Sequence, residues 1–156
     1  MKKGKNMYEQ SNFIAAEIAE LTFKLLSNCQ EKEERLAQQF RISVPEFRTL
    51  RVFRTDRQLH VKELVERVNL SGSRLSRILE SLEERGFLAR SIARDDRRSI
   101  VVTLTKKGAA MVSNLEERYI QIHEEILEGI PEELHEPLIQ GLNKMLSSLE
   151  RWLKES

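Results

Sequence analysis

The sequence predicts a mainly α-helical chain with a small β-hairpin set inside it, and three observations carry that prediction. Between Ser71 and Gly86, Leu75, Ile78, Leu79 and Leu82 recur at helical spacing, behind a serine suited to cap a helix and ahead of a glycine suited to end one. Two runs of strand type follow, Phe87–Ile92 and Ser99–Leu104, the second β-branched along most of its length. On both sides of this block, apolar residues at spacings of three and four mark long helices.

Between the two strands lies a polar link, Arg94-Asp95-Asp96-Arg97-Arg98. A helix stopped by glycine and followed by a hairpin with an arginine tip is a winged helix-turn-helix signature. The outward face of the helix carries Ser73, Arg74, Ser76 and Arg77 in its first half and Glu80, Glu83 and Glu84 in its second. Guanidinium and hydroxyl groups reach base edges and phosphates, whereas carboxylates are repelled by phosphate. The N-terminal half is therefore the part expected to enter a DNA groove.

The remaining elements follow in chain order. Met1–Asn6 holds three lysines without apolar periodicity and reads as a frayed tail. From Tyr8 to Phe40, Ile14, Ile18, Leu21, Leu25, Cys29, Leu36 and Phe40 mostly repeat at three or four residues, which predicts one long helix. Ser43 and Pro45 suit the start of a second helix, running through Phe47, Leu50, Val52 and Phe53 to about Thr55. After a polar break, Leu59-His60-Val61 is short enough for a third strand, and Val61, Leu64, Val65 and Val68 form the apolar face of a helix ending near Asn69. The tight link from Asn69 to Gly72 has helix-turn-helix spacing. Thr105 suits the cap of a fifth helix with the inner stripe Met111, Leu115, Tyr119, Ile122 and Ile126; Gly129 and Pro131 separate it from a last helix with the stripe Leu134, Leu138, Leu142, Met145, Leu149 and Trp152. A small winged helix has no room for these terminal faces, so a second copy of the chain is the economical cover.

Composition narrows the class. At 156 residues and 40% apolar content the chain can build a core, and its single Cys29 excludes an internal disulfide. The absence of an apolar leader and of a bilayer-length apolar run predicts a cytoplasmic protein with no membrane role. The net charge of +1 hides an uneven distribution: residues 43–107 hold 15 basic and 9 acidic side chains, and residues 108–156 hold 4 and 10. Between Arg85 and Lys107, 7 basic residues face 2 acidic ones, so the basic excess coincides with the hairpin and points to a polyanionic partner.

These features resemble the MarR family of bacterial transcription regulators. The likeness is carried by Ser43-Val44-Pro45-Glu46-Phe47-Arg48-Thr49-Leu50, by Val61–Val68, by Leu79–Leu88, and above all by Asp96-Arg97-Arg98 ahead of Val101-Val102-Thr103-Leu104-Thr105-Lys106-Lys107-Gly108. The resemblance implies a homodimer on a palindromic operator in double-stranded DNA, most often a repressor relieved by a small-molecule effector. It divides the chain into an N-terminal dimerisation helix (1–42), a winged helix-turn-helix (43–107) and C-terminal dimerisation helices (108–156). By analogy Arg98 reaches a minor groove with Asp96 bracing it, Arg94 and Arg97 bind flanking phosphates, and Ser71, Ser73, Arg74, Ser76 and Arg77 belong to the recognition helix. The effector's place would be an apolar cleft between the long helices and the winged region.

Other readings are weaker. Arg74 and Arg77 could merely form helix-surface pairs such as Arg77 with Glu80, but the adjoining wing favours DNA. Arg85 and Arg90 read as structural or phosphate-neighbouring, whereas Arg48, Arg51 and Arg54 fit either DNA or a dimer. One branch of the MarR family senses peroxide through a cysteine near the start of its first helix; Cys29 lies later, on the apolar stripe, and is expected to be a buried, inert thiol. His60, His123 and His135 are scattered, which argues against a metal site, and His60 fits the small sheet. No catalytic motif or cofactor loop is present, so neither an enzyme nor a cofactor is expected. The rival is a winged-helix interaction module whose basic hairpin docks an acidic protein and never enters DNA.

Overall fold

The computed structural model describes residues 3–93 and 99–156, with side chains from residue 12 onward. The expectations for Arg94, Asp96, Arg97 and Arg98 lie outside the described residues. In order the elements are α1 (Lys3–Gln39), α2 (Val44–Val52), β1 (Gln58–His60), α3 (Val61–Val68), α4 (Gly72–Glu84), β2 (Leu88–Ile92), β3 (Ile100–Leu104), α5 (Lys106–Leu127), a 3-10 turn (Glu132–Leu134) and α6 (His135–Glu155). The chain divides into two compact units, one ending at Leu115 and the other spanning Glu116–Ser156.

The first unit is the winged helix-turn-helix. Its three strands form an antiparallel sheet in the order β1-β3-β2, with Leu59 opposite Val102 and Arg90 opposite Val102 on the other side. Phe47 and Leu50 of α2, Leu64 of α3, Leu75 and Leu82 of α4 and Val102 of β3 are wholly buried. Each contributes about 1.5–3 kcal/mol by leaving water. Leu36 of α1 and Leu115 of α5 close the same core.

Several boundaries differ from expectation. α1 begins at Lys3, so most of the anticipated frayed tail continues the helix. α2 ends at Val52 rather than near Thr55, because Phe53 and Arg54 turn back onto Leu50 and Arg51 through backbone hydrogen bonds of 3.0 and 3.2 Å. The third strand ends at His60, whose extended backbone is already the N-cap of α3, and Val61 is helical. In α5 the buried positions are Gly108, Val112 and Leu115; of the anticipated stripe Leu115 is buried, Met111, Tyr119 and Ile122 are half-buried, and Ile126 is exposed.

The largest departure concerns α1. Residues 12–31 are exposed throughout, with Phe13 and Phe23 the most open of the large apolar side chains among the described residues, at 69% and 71%. Cys29 is exposed too, against the expectation of a buried thiol. Among the described side chains of α1, only Leu36 and Ala37, at its end, are buried in the core. In the second unit α6 is exposed from Glu136 onward, with its apolar stripe intact but uncovered.

One buried carboxylate ties α2 to α4. Ser43 caps α2 in a capping box with Glu46: the Glu46 N–H donates to the Ser43 hydroxyl, and the Ser43 N–H returns a bond of 2.7 Å to the Glu46 carboxylate. The same carboxylate accepts the Ser81 hydroxyl at 2.7 Å and faces the Arg85 guanidinium at 3.3 Å. Burial pushes the carboxyl up, but the Ser43 and Ser81 bonds and the Arg85 charge outweigh it and hold it below its ordinary value of 4.5. The stabilisation is therefore complete above the unfolded value and is lost as pH falls through the lower folded value. Glu46→Gln is expected to cost about 1–3 kcal/mol at neutral pH and to flatten the loss of stability below pH about 4.5, in urea melts run across that range. A wild-type curve no steeper than the variant's in acid would remove Glu46 from this role.

Candidate nucleic-acid interface

The helix-turn-helix is built by two chain reversals. α3 ends on Asn69 in the left-handed region, at φ 54°, with its N–H on the Val65 carbonyl at 3.1 Å. Asparagine tolerates that conformation better than most side chains, and Leu70 and Ser71 then lead into α4. α4 ends in a Schellman motif: the Gly86 N–H bonds to Glu83 at 2.8 Å and the Phe87 N–H to Leu82 at 2.9 Å, with Gly86 at φ 74°. The glycine read from the sequence as a stop is that stop.

Within α4, Leu75, Leu79 and Leu82 are buried and Ile78 half-buried, which turns Ser73, Arg74 and Arg77 to solvent. Neither arginine has a hydrogen bond or ion pair among the described residues, and the Arg77–Glu80 pair does not form. Ser76 is half-buried, and its hydroxyl donates to Glu80 at 3.4 Å. Ser71 occupies the N-cap position, but its hydroxyl makes no capping bond and instead sits 3.4 Å from that of Ser73. The acidic second half is less free than its sequence suggests. Glu83 bonds both the Arg90 side chain at 2.7 Å and the Arg90 N–H at 3.0 Å, bonds that hold its carboxyl below the usual range.

The hairpin is anchored at both ends. At its neck the Ala93 N–H donates to the Ser99 carbonyl at 2.8 Å, and the Ser99 hydroxyl is hydrogen-bonded to Nδ1 of His60 at 2.8 Å. His60 thus belongs to the small sheet, as expected. Ile92 and Ile100 face each other in register beside the neck and are both exposed, an apolar pair that the sequence reading did not single out. At the other end Thr105 caps α5, accepting the Gly108 N–H at 3.0 Å while donating to the Gly86 carbonyl at 2.7 Å.

Arg85 and Arg90 are structural. Arg85 bonds Glu46 and the Arg41 carbonyl and lies 5.1 Å over the Phe87 ring. Of the arginines left open, Arg48 pairs with Glu33 at 2.7 Å, Arg51 lies 5.9 Å over the Phe47 ring, and Arg54 is exposed. The residue that sequence reasoning missed is Glu46; the Ser-x-x-Glu spacing from Ser43 was the available signal. His123 and His135 each bond a backbone carbonyl within their own unit. Among the described residues no cluster of three or more histidine, cysteine or carboxylate side chains could hold a metal, and no helix is long and apolar enough to cross a membrane.

Comparison with known proteins agrees with this architecture. The MarR family model matches residues 42–100, which span the whole of the helix-turn-helix and β2 and end at the first residue of β3. The HTH-type transcriptional regulator YfiV of Bacillus subtilis is 30% identical over 114 residues, covering 73% of this chain and 71% of YfiV. Among solved structures, a MarR family protein from Bacillus stearothermophilus superposes with a TM-score of 0.79 at 20% identity, over 88% of this chain and 96% of that one. MepR of Staphylococcus aureus, solved in complex with DNA, gives 0.68 at 23% identity over 83% and 96%. A winged fold of this order and register, a family model lying on its helix-turn-helix, and a relative of this identity and coverage place the chain in the MarR family of HTH-type transcriptional regulators.

Proposed function

We propose that the protein acts in the cytoplasm as a homodimer on a palindromic operator in double-stranded DNA, repressing transcription until a small-molecule effector releases it. The observation that carries the reading is the N-terminal half of α4: Ser73, Arg74 and Arg77 stand in solvent on a helix whose opposite face is locked into the core. MepR, of the same fold, is solved on DNA. In this reading Arg74, Arg77, Ser73 and Ser76 meet base edges in the major groove, and Ser71 lies at the helix start, where N–H groups favour a phosphate. Arg98 enters a minor groove braced by Asp96, and Arg94 and Arg97 take flanking phosphates. The segments 1–42 and 108–156 supply the dimer and 43–107 the DNA contact.

Uncovered apolar faces support the dimer. On α6, Leu138, Leu142, Met145, Leu149 and Trp152 follow a four-three spacing and are all exposed, the pattern of a seam between helices. Exposed apolar surface of that extent is uncommon on a soluble monomer. Sedimentation at low micromolar concentration is expected to show a dimer that Leu142→Glu with Leu149→Glu dissociates. In a gel shift against the promoter of its own gene, the wild type is expected to retard a duplex whose half-sites lie about 34 Å apart, one helical turn. A monomeric wild type, or one that shifts no duplex at low salt, overturns the proposal.

A further inference from the structure

The end of α2 and the turn after it meet the last turn of α3 around a cleft of about 260 Å3. Arg48, Arg51, Arg54 and Arg67 line it, with Val52 and Thr55. Three of the four guanidiniums are braced from outside the cleft. Arg48 is held by Glu33 at 2.7 Å, Arg67 by Asp56 at 2.9 Å and by Glu63, and Arg51 lies over Phe47. Thr55 donates to the same Asp56 oxygen at 2.9 Å, so one carboxylate fixes two parts of the wall. The Arg67 bond first, and the Thr55 bond after it, keep that carboxyl below its usual range and hence charged.

Four arginines line one small cleft, the carboxylates that pair with Arg48 and Arg67 are not among its lining residues, and planar guanidinium forks match carboxylate and phosphate oxygens in pairs. The volume is slightly below the roughly 300 Å3 at which pockets for drug-sized ligands begin, so the occupant is small. Sheet register separates the cleft from the wing. β1 pairs with β3 from His60–Val101 to Gln58–Thr103, so Thr55 and Asp56 lie beyond the end of the sheet away from the Ile92–Ile100 pair. Arg67 is also four residues from Ser71, where α4 begins, so the cleft wall and the recognition helix share one short turn.

We propose that this cleft binds a small, multiply charged oxyanion, a phosphoryl or polycarboxylate compound, and that its occupancy alters how α4 meets DNA. The regulatory half rests on the operator-binding reading; the binding half does not. Isothermal titration of inorganic pyrophosphate and of tricarballylate into the DNA-free, full-length protein, at fixed ionic strength against chloride, distinguishes the two oxyanion chemistries. At least one is expected to bind saturably, with Arg54→Gln weakening it at least tenfold by about the strength of one charge-assisted bond, and Arg51→Gln with Arg54→Gln abolishing it. Lys154→Gln, which removes the same charge elsewhere, is expected to bind like wild type. In gel shifts the bound probe is expected to change operator affinity for wild type and not for Arg54→Gln, whose affinity without the probe is unchanged. No binding above chloride, or binding indifferent to both arginines, overturns the site. An Arg54→Gln protein that loses operator affinity without any probe makes the cleft a DNA surface and also overturns it. Tight probe binding with unaltered operator affinity overturns the regulatory half alone and leaves operator recognition standing.

Discussion

Gly108→Ala is expected to destabilise the protein by about 3 kcal/mol or more, among the largest effects of any single methyl addition in the chain. A Cβ at this position would stand 1.8 Å from the Phe87 carbonyl oxygen and 2.8 Å from its carbon, far inside contact distance. The obstacle is backbone, and it is fixed twice: the Phe87 oxygen accepts the Thr105 N–H at 3.1 Å and lies 3.2 Å from the Thr105 hydroxyl. Phe87 is itself the last link of the Schellman motif that ends α4, so relief requires the end of α4, the start of β2 or the first turn of α5 to move. For a chain of this length the loss corresponds to a fall in melting temperature of roughly 6–12 °C at fixed protein concentration. Gly72→Ala is the control, because nothing lies within 4 Å of a Cβ built there; it is expected to stay within about 0.5 kcal/mol of wild type. Equal melting of the two variants would mean that the close approach at Gly108 is not what holds hairpin and helix together.

Gly108 also shows what the sequence could and could not disclose. The Leu-Thr-x-x-Gly turn was legible as a motif, and its spacing placed a cap at Thr105 and a glycine three residues on. Why the glycine is required was not legible, since the clash partner is the backbone of Phe87, twenty-one residues earlier. Glu46 makes the same point. Ser43 and Pro45 announce the start of α2, but Ser81 and Arg85 are delivered to the Glu46 carboxylate only when α4 packs on α2. Local signals such as caps, stops and periodicity fix elements because they act within a turn or two. Cys29 marks the converse limit: periodicity says that a helix face is apolar, but not what covers it. The stripe carrying Cys29 meets the core only at Leu36 and the end of α1.

The largest functional effect is expected at Arg77. If its guanidinium reads a base edge, Arg77→Ala removes about 1–3 kcal/mol per half-site, and a dimer feels it twice, so the operator is bound at least roughly 30-fold more weakly. Random duplex carries no base-specific bond to lose, so its affinity falls much less and the ratio between operator and random DNA shrinks. Arg77→Lys separates charge from geometry: it retains the cation and hence the salt dependence but lacks the planar fork, so operator affinity is expected to fall without change in the slope of log affinity against log salt. If Arg97 holds a phosphate, Arg97→Ala should do the reverse, weakening operator and random DNA alike and reducing that slope by about 1 for each phosphate left without its cation, hence about 2 if two copies bind. The pair of results tests the division of labour between helix and hairpin. Arg77 is exposed and has no partner among the described residues, so folding should be untouched, and equal melting temperatures would confirm that binding alone is being measured. An Arg77→Ala protein that lost operator and random DNA in the same proportion would reduce that arginine to a phosphate ligand and move sequence reading elsewhere on α4, with Arg74 and Ser73 the next side chains on its exposed face.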